Sequence, residues 1–174
     1  MNYGNIKYTD IANGSGIRLT LFVSGCSNHC KGCFQPETWD PGYGAPFTEE
    51  VEEKIMKELR QPWYQGVTIL GGEPMEFYNQ HGLLPFLQRL RRERPELNIW
   101  VYTGNVYEDM MPGGIRHCEV TDALLRCIDV LVDGRFDETL KNIRLQFRGS
   151  ENQRIIDMKK SLAEEKPVLC KQFR

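Results

Sequence analysis

The chain has 174 residues, of which 40% are hydrophobic and 26% charged. That composition is typical of globular proteins, and the length suits one core rather than two domains joined by a linker. Twenty-two Lys and Arg against 24 Asp and Glu leave a net charge of −2, which excludes bulk attraction to nucleic acid or to an anionic membrane as the basis of recognition. No apolar run approaches the roughly 18 residues of a membrane span, and Met1 to Asn5 lack a charged segment leading into an apolar one. A cytoplasmic protein is expected, with neither nucleic acid nor membrane as its partner.

In chain order, Ile17 to Val23 alternates and is rich in β-branched and aromatic residues, predicting a strand that runs into Ser24-Gly25. Thr48, followed by Glu49 and Glu50 and the apolar row Val51, Ile55 and Leu59, predicts the N-cap and body of an amphipathic helix. Val67 to Leu70 is a short apolar run stopped by Gly71-Gly72, the pattern of a buried strand. Leu83, Leu84, Leu87 and Leu90 recur at helical spacing until Pro95, and the run Gln88 to Arg94 reads as the solvated face of that helix. Leu97, Ile99 and Val101 alternate as a third strand closed by Thr103-Gly104. Leu124, Leu125 and Ile128 suggest a short helix merging into a fourth strand, Cys127 to Val132, that ends at Asp133-Gly134. Beyond Asp157 periodicity fades, and the tail 158–174 receives no assigned element.

Strands alternating with helices build a mainly parallel α/β sheet. Ligands gather at the carboxyl ends of such strands, which here carry cysteines, Gly71-Gly72-Glu73-Pro74, Tyr102-Thr103-Gly104 and Asp133-Gly134. A complete eight-stranded barrel takes about 250 residues, so a single domain over 1–174 is expected to form only a partial, open TIM-like barrel, with room for a large partner on its open side.

Six cysteines stand at positions 26, 30, 33, 118, 127 and 170. A reducing compartment favours metal or redox chemistry over three disulfides. Cys26, Cys30 and Cys33 form a C-x3-C-x2-C cluster on the loop after the first strand. Thiolates are soft ligands suited to zinc or to iron–sulfur clusters. Three of them on a four-iron cube leave one iron open, whereas His29, Cys118 or Cys127 as a fourth ligand would complete a zinc site, and with His29 in that place the chain would be a zinc-binding interaction module. Cys127, in an apolar run, reads as a small buried hydrophobe. Cys118 and Cys170 support no second cluster, and His81 and His117 have no partner at catalytic spacing.

The C-x3-C-x2-C spacing resembles the signature of radical S-adenosylmethionine enzymes. The preceding Gly14-Ser15-Gly16-Ile17-Arg18, with Phe22-Val23-Ser24-Gly25-Cys26, is similar to the lead-in of the glycyl-radical activating enzymes, and Gly71-Gly72-Glu73-Pro74 is similar to the superfamily's GGEP motif. Val130 to Phe136 and Arg148 to Arg154 narrow the resemblance to the branch that serves anaerobic ribonucleoside-triphosphate reductase, and the likeness spans residues 5 to 157.

The resemblance implies an oxidoreductase whose Cys26, Cys30 and Cys33 hold a [4Fe–4S] cluster, with S-adenosylmethionine on the fourth iron. Its reductive cleavage gives a 5′-deoxyadenosyl radical that takes hydrogen from a glycine of the reductase, the protein substrate. An electron donor such as flavodoxin or a thiol system is implied as a second partner. Gly32, Cys33 and Phe34 are implied as cofactor contacts. Gly71 and Gly72 would allow the backbone to approach the methionine moiety, so that Gly72→Val would weaken cofactor binding while sparing the iron. Glu73 would meet the ammonium group, and Thr103 and Asp133 the ribose hydroxyls or the carboxylate. Arg18 would order the cysteine loop or pair with a carboxylate. Taken alone, Gly-Gly-Glu-Pro and Asp133-Gly134 also read as turns, Thr103 as a strand cap, Phe34 as packing, and Ser150 with Gln153 as a capping box beside Asn152. Other small radical enzymes, such as a pyruvate formate-lyase activator or a nucleobase-modifying enzyme, are the nearest alternatives.

Overall fold

A computed structural model describes residues 1–173. Seven strands form one sheet: β1 (Asn2–Asp10), β2 (Arg18–Val23), β3 (Ala45–Pro46), β4 (Gly66–Gly71), β5 (Asn98–Tyr102), β6 (Val130–Asp133) and β7 (Arg154–Asp157). Between and after them lie α1 (Glu49–Glu58), α2 (Phe77–Glu93), α3 (Thr121–Arg126) and α4 (Met158–Glu164). The strand order is β3-β1-β2-β4-β5-β6-β7. The four predicted strands, β2, β4, β5 and β6, are the central parallel ones. The outer strands were not expected: β1 pairs antiparallel with β2 and β3, and β7 antiparallel with β6. The sheet is therefore mixed and open, with edges at β3 and β7, rather than mainly parallel throughout.

Strand side chains alternate between two faces, and the faces differ in chemistry. Leu19, Leu21, Val23, Val67, Ile69, Ile99, Val101, Leu131 and Ile156 join one core with Ile55 and Leu59 of α1, Leu83, Phe86, Leu87 and Leu90 of α2, and Leu124 and Leu125 of α3. The helices thus cover one face. The opposite face carries Arg18, Thr20, Thr68 and Trp100, with a smaller cluster of Trp100, Val130, Val132 and Ile155 against which Phe147 and Phe173 pack. The rings of Trp100, Phe147 and Phe173 meet edge-on with centroids 5.2–5.4 Å apart.

Arg18 lies at the entry of β2, not beside the cysteine loop. Its guanidinium donates to Thr68 Oγ1 and Asn98 Oδ1, each at 2.6 Å, and to the carbonyls of Ser15, Val67 and Asn98 at 2.8–3.1 Å. It contacts Trp100 at 5.3 Å from the ring centroid, and burial lowers its pKa to about 10. Among the described residues no carboxylate pairs with it, and polar side chains and backbone carbonyls take that place. In the charged run of α2, Arg89 pairs with Glu52, Glu53 and Glu93, and Arg91 with Asp129, so these side chains tie α2 to its neighbours.

Helix α1 begins after Thr48 as expected, although the Thr48 side chain makes no capping hydrogen bond. Strand β6 starts at Val130, while Cys127 is the C-cap of α3, with its thiol 3.4 Å from the Ala123 carbonyl. The tail is ordered into α4, capped by Asp157, whose carboxylate accepts from Lys160 N at 3.1 Å. Asp157 N then bonds Val168 O, and Cys170 N bonds Ile155 O, each at 2.8 Å, so the segment after α4 runs back along β7. Ser150 and Gln153 precede a strand, not a helix, so they form no capping box. Gln153 Oε1 instead accepts from Gly149 N at 2.8 Å and Ser150 N at 3.1 Å. Among the described residues no helix is long and apolar enough to cross a membrane.

Candidate metal and cofactor site

The loops leaving the carboxyl ends of β2, β4, β5 and β6 meet around one cavity of about 170 Å³. It is lined by Cys26, Cys30, Cys33 and Phe34 of the first loop, by Gly71, Gly72 and Glu73 of the second, and by Thr103 of the third. Gly32 and Asp133, expected among these residues, do not line it.

The cysteine loop is anchored at several points. Gly25 N donates to Thr38 O at 2.7 Å and Cys26 N to Trp39 O at 3.1 Å, fixing its root. Cys33 N donates to Cys30 O at 3.1 Å, closing a tight turn in which Gly32 takes φ +73°, a conformation glycine adopts without steric cost. Ser27 N and Oγ both donate to Glu76 Oε1, at 2.9 and 2.5 Å, and Arg116 Nη1 donates to Glu76 Oε2 at 2.7 Å while Nη2 reaches Ser27 Oγ at 2.7 Å. Although burial opposes it, these donors hold the Glu76 carboxyl below the usual carboxylate range. No sequence spacing could have found this trio, because Arg116 arrives from a loop forty residues beyond Glu76.

Glu73 is fully buried. Its Oε1 accepts from Thr103 Oγ1 at 2.7 Å and Met75 N at 2.9 Å, and its Oε2 from Asn28 Nδ2 at 2.7 Å and Gly104 N at 2.8 Å. Four donors fill the lone-pair directions of one carboxylate, so Glu73 ties the cysteine loop to the end of β5. Burial pushes its carboxyl above the usual range, against the pull of those donors. The Thr103 hydroxyl likewise turns to Glu73 and accepts from Asn105 N at 3.0 Å.

Asp133 points elsewhere. It accepts from Tyr107 N at 2.7 Å and from Arg154 Nε and Nη2 at 2.9 and 2.5 Å, and Arg154 also pairs with Glu108. Its carboxylate is thus occupied by protein donors outside the cavity lining. Gln153 and Phe136, missed in the sequence, line the cavity instead. Gln153 Nε2 donates to Gly134 O at 3.0 Å and Asn152 Nδ2 to Arg135 O at 2.8 Å, which fastens the 149–153 segment to the end of β6.

Gly72 is required by its neighbour. A Cβ there would lie 2.5 Å from Gly25 O, so the GGEP turn packs directly on the root of the cysteine loop, and Glu73 N donates to Gly25 O at 2.7 Å. A valine at Gly72 would therefore press on the root of the cysteine loop as well as on the cavity wall.

The donor set suits an iron–sulfur cluster. Cys26, Cys30 and Cys33 stand on one loop and line one cavity, and their thiolates are the soft ligands that such a cluster takes. His29 stacks on Trp39 with ring centroids 4.6 Å apart, and no disulfide engages any of the six cysteines. Burial pushes the Cys26 and Cys30 thiols up, with Arg135 opposing at Cys30, so ligation must release their protons.

An open α/β sheet with this loop defines a class: residues 12–156 match the family model of the 4Fe-4S single cluster domain, and the chain is a radical S-adenosylmethionine protein. Among curated proteins it is 40% identical over 155 residues to the anaerobic ribonucleoside-triphosphate reductase-activating protein of Escherichia coli K12, covering 88% of this chain and 96% of that one. The proteins of the same name from Pasteurella multocida and Enterobacteria phage T4 are 39% and 34% identical, with 95% and 93% of their lengths covered. The chain belongs to the family of anaerobic ribonucleoside-triphosphate reductase-activating proteins.

Proposed function

We propose that this protein activates an anaerobic ribonucleoside-triphosphate reductase by generating a glycyl radical on it. The observation that carries this reading is the convergence of Cys26, Cys30 and Cys33 with the Gly71-Gly72 turn on one cavity at the carboxyl ends of the parallel strands, in a chain that matches such activators over most of its length. Cys26, Cys30 and Cys33 would hold three irons of a [4Fe–4S] cluster, leaving the fourth for S-adenosylmethionine. When bound, cluster and cofactor supply one-electron cleavage of the sulfonium C–S bond to a 5′-deoxyadenosyl radical. A reductant such as flavodoxin or a thiol system supplies the electron, in the cytoplasm.

The chain's own residues bind and position. Gly71 and Gly72 bring backbone to the cavity wall, and Phe34 with Phe136, ring centroids 5.6 Å apart, offer the apolar surface against which an adenine would lie. Glu73 acts as a positioning residue, through Asn28 and Thr103, rather than as a direct ligand of the ammonium group. Asp133 serves the β6–β7 pairing. The open sheet is read as part of a TIM-like barrel over the single domain 1–174, and the protein partner covers its exposed rim and excludes water.

Anaerobic assay of 5′-deoxyadenosine tests this reading. Its formation should depend on the reductase, and should be lost in Cys26→Ala, Cys30→Ala and Cys33→Ala but retained in Cys127→Ala. Stoichiometric turnover of a free nucleobase or nucleotide with no reductase present would replace the activating role by that of a small-molecule radical enzyme.

A further inference from the structure

Away from the cysteine-lined cavity, a second set of ligating side chains converges. His81 on the second turn of α2, and Cys118 and Glu119 in the loop before α3, bring an imidazole nitrogen, a sulfur and a carboxylate oxygen within 4.8 Å of one another. His81 Nε2 lies 2.7 Å from Glu119 Oε1, and Nδ1 lies 2.7 Å from the Phe77 carbonyl. Both ring nitrogens thus face acceptors, whereas a neutral imidazole has a single N–H to offer. With Nδ1–H held by the carbonyl, Nε2 is left to a second proton or to a cation shared with the carboxylate. A backbone carbonyl behind the far ring nitrogen is the usual outer partner of a ligating histidine.

The sulfur is held as well. Cys118 Sγ lies 3.6 Å from Gln80 Oε1 and 3.4 Å from Thr121 Oγ1, and Gln80 is itself fixed by donating to the Met75 and Arg116 carbonyls, each at 2.8 Å. The His81 and Glu119 side chains remain 46% and 76% exposed, so an ion can reach them from solvent.

We propose that His81 Nε2, Cys118 Sγ and the Glu119 carboxylate form a zinc site with its fourth position open to water. Mixed nitrogen, sulfur and oxygen donors suit a borderline cation such as Zn(II), and three protein ligands plus water is one of its established arrangements. Binding releases the Cys118 thiol proton to solvent. The ion fastens to α2 the same loop that delivers Arg116 to Ser27 and Glu76, so this site braces the cysteine loop from outside the cavity.

Cobalt(II) serves as the optical probe for zinc. The full-length Cys26→Ala/Cys30→Ala/Cys33→Ala variant, which lacks the competing thiolates, should bind one equivalent of cobalt anaerobically with a thiolate-to-metal absorption that zinc then bleaches. That absorption should vanish in the same background with Cys118→Ser or His81→Ala, and persist with Cys127→Ser, Cys170→Ser or His117→Ala. Cys118→Ser keeps a hydroxyl for Gln80 and Thr121, so its circular dichroism should match its background and loss of the band then reports loss of a ligand. In the iron-reconstituted parent, one zinc should be retained beside the cluster, and none in Cys118→Ser at equal iron content. A thiolate–cobalt band that survives Cys118→Ser or His81→Ala, or no band in the triple variant together with no zinc in the reconstituted parent, overturns the proposal.

Discussion

Glu73 already has four protein donors around its two oxygens, and this decides how the GGEP turn works. An amide at this position would turn an NH2 group toward two of those donors and leave them buried without an acceptor. Glu73→Gln should therefore destabilise the cluster-free protein by about 3 kcal/mol, the usual cost of unmade buried hydrogen bonds to a charged group, as read by urea unfolding. Parent-like stability with a loss confined to S-adenosylmethionine affinity would return Glu73 to the role of direct ligand. Gly72 acts on the same loop from its other side. Because a Cβ there meets Gly25 O at 2.5 Å, Gly72→Val should lower both iron content and cofactor affinity after anaerobic reconstitution. Full iron content with weakened cofactor binding alone would show that the valine reaches the methionine moiety without disturbing Cys26.

At the scale of elements, the central strands were legible because each is a short apolar or alternating run stopped by glycine or a turn, as Val67 to Gly72 illustrates. The outer strands were not. Strand β1 is polar, only partly buried and broken by two register shifts, and β7 has four residues whose partner is set by tertiary pairing with β6. The same division runs through the site. Three cysteines within eight residues announce themselves, whereas the carboxylates and their donors do not: Asp133 looked available at a strand end until Arg154 of β7 was placed beside it. Arg18 shows the limit of motif reading. It opens β2, about 17 Å by strand rise from Val23 at the other end, and its guanidinium joins three strands through Thr68, Asn98 and backbone carbonyls. Arg18→Ala should cost about 3 kcal/mol by stranding those acceptors, which lowers the melting temperature by about 6–12 °C for a chain of this size. Iron content of the folded variant should remain that of the parent. A fall in iron with unchanged melting would instead place Arg18 in the ordering of the cysteine loop.

For the whole molecule, the consequence of the open sheet is a division of labour with a partner. Helices close one face, while the rim that carries Cys26, Cys30, Cys33 and the exposed Phe34 is left uncovered. A glycine of a folded reductase can reach that rim only on a segment that leaves its own core, a local opening of the kind proteins permit at low-stability elements. The central claim is that hydrogen leaves the glycine Cα for the 5′ carbon of the cofactor fragment. The most direct measurement is electron paramagnetic resonance on a reductase labelled with Cα-deuterated glycine, incubated anaerobically with this protein, S-adenosylmethionine and a reductant. The account predicts an organic radical on the reductase whose hyperfine splitting collapses relative to the unlabelled enzyme, together with deuterium in the 5′-deoxyadenosine. Formation of 5′-deoxyadenosine free of deuterium, with no radical on the reductase, would contradict it.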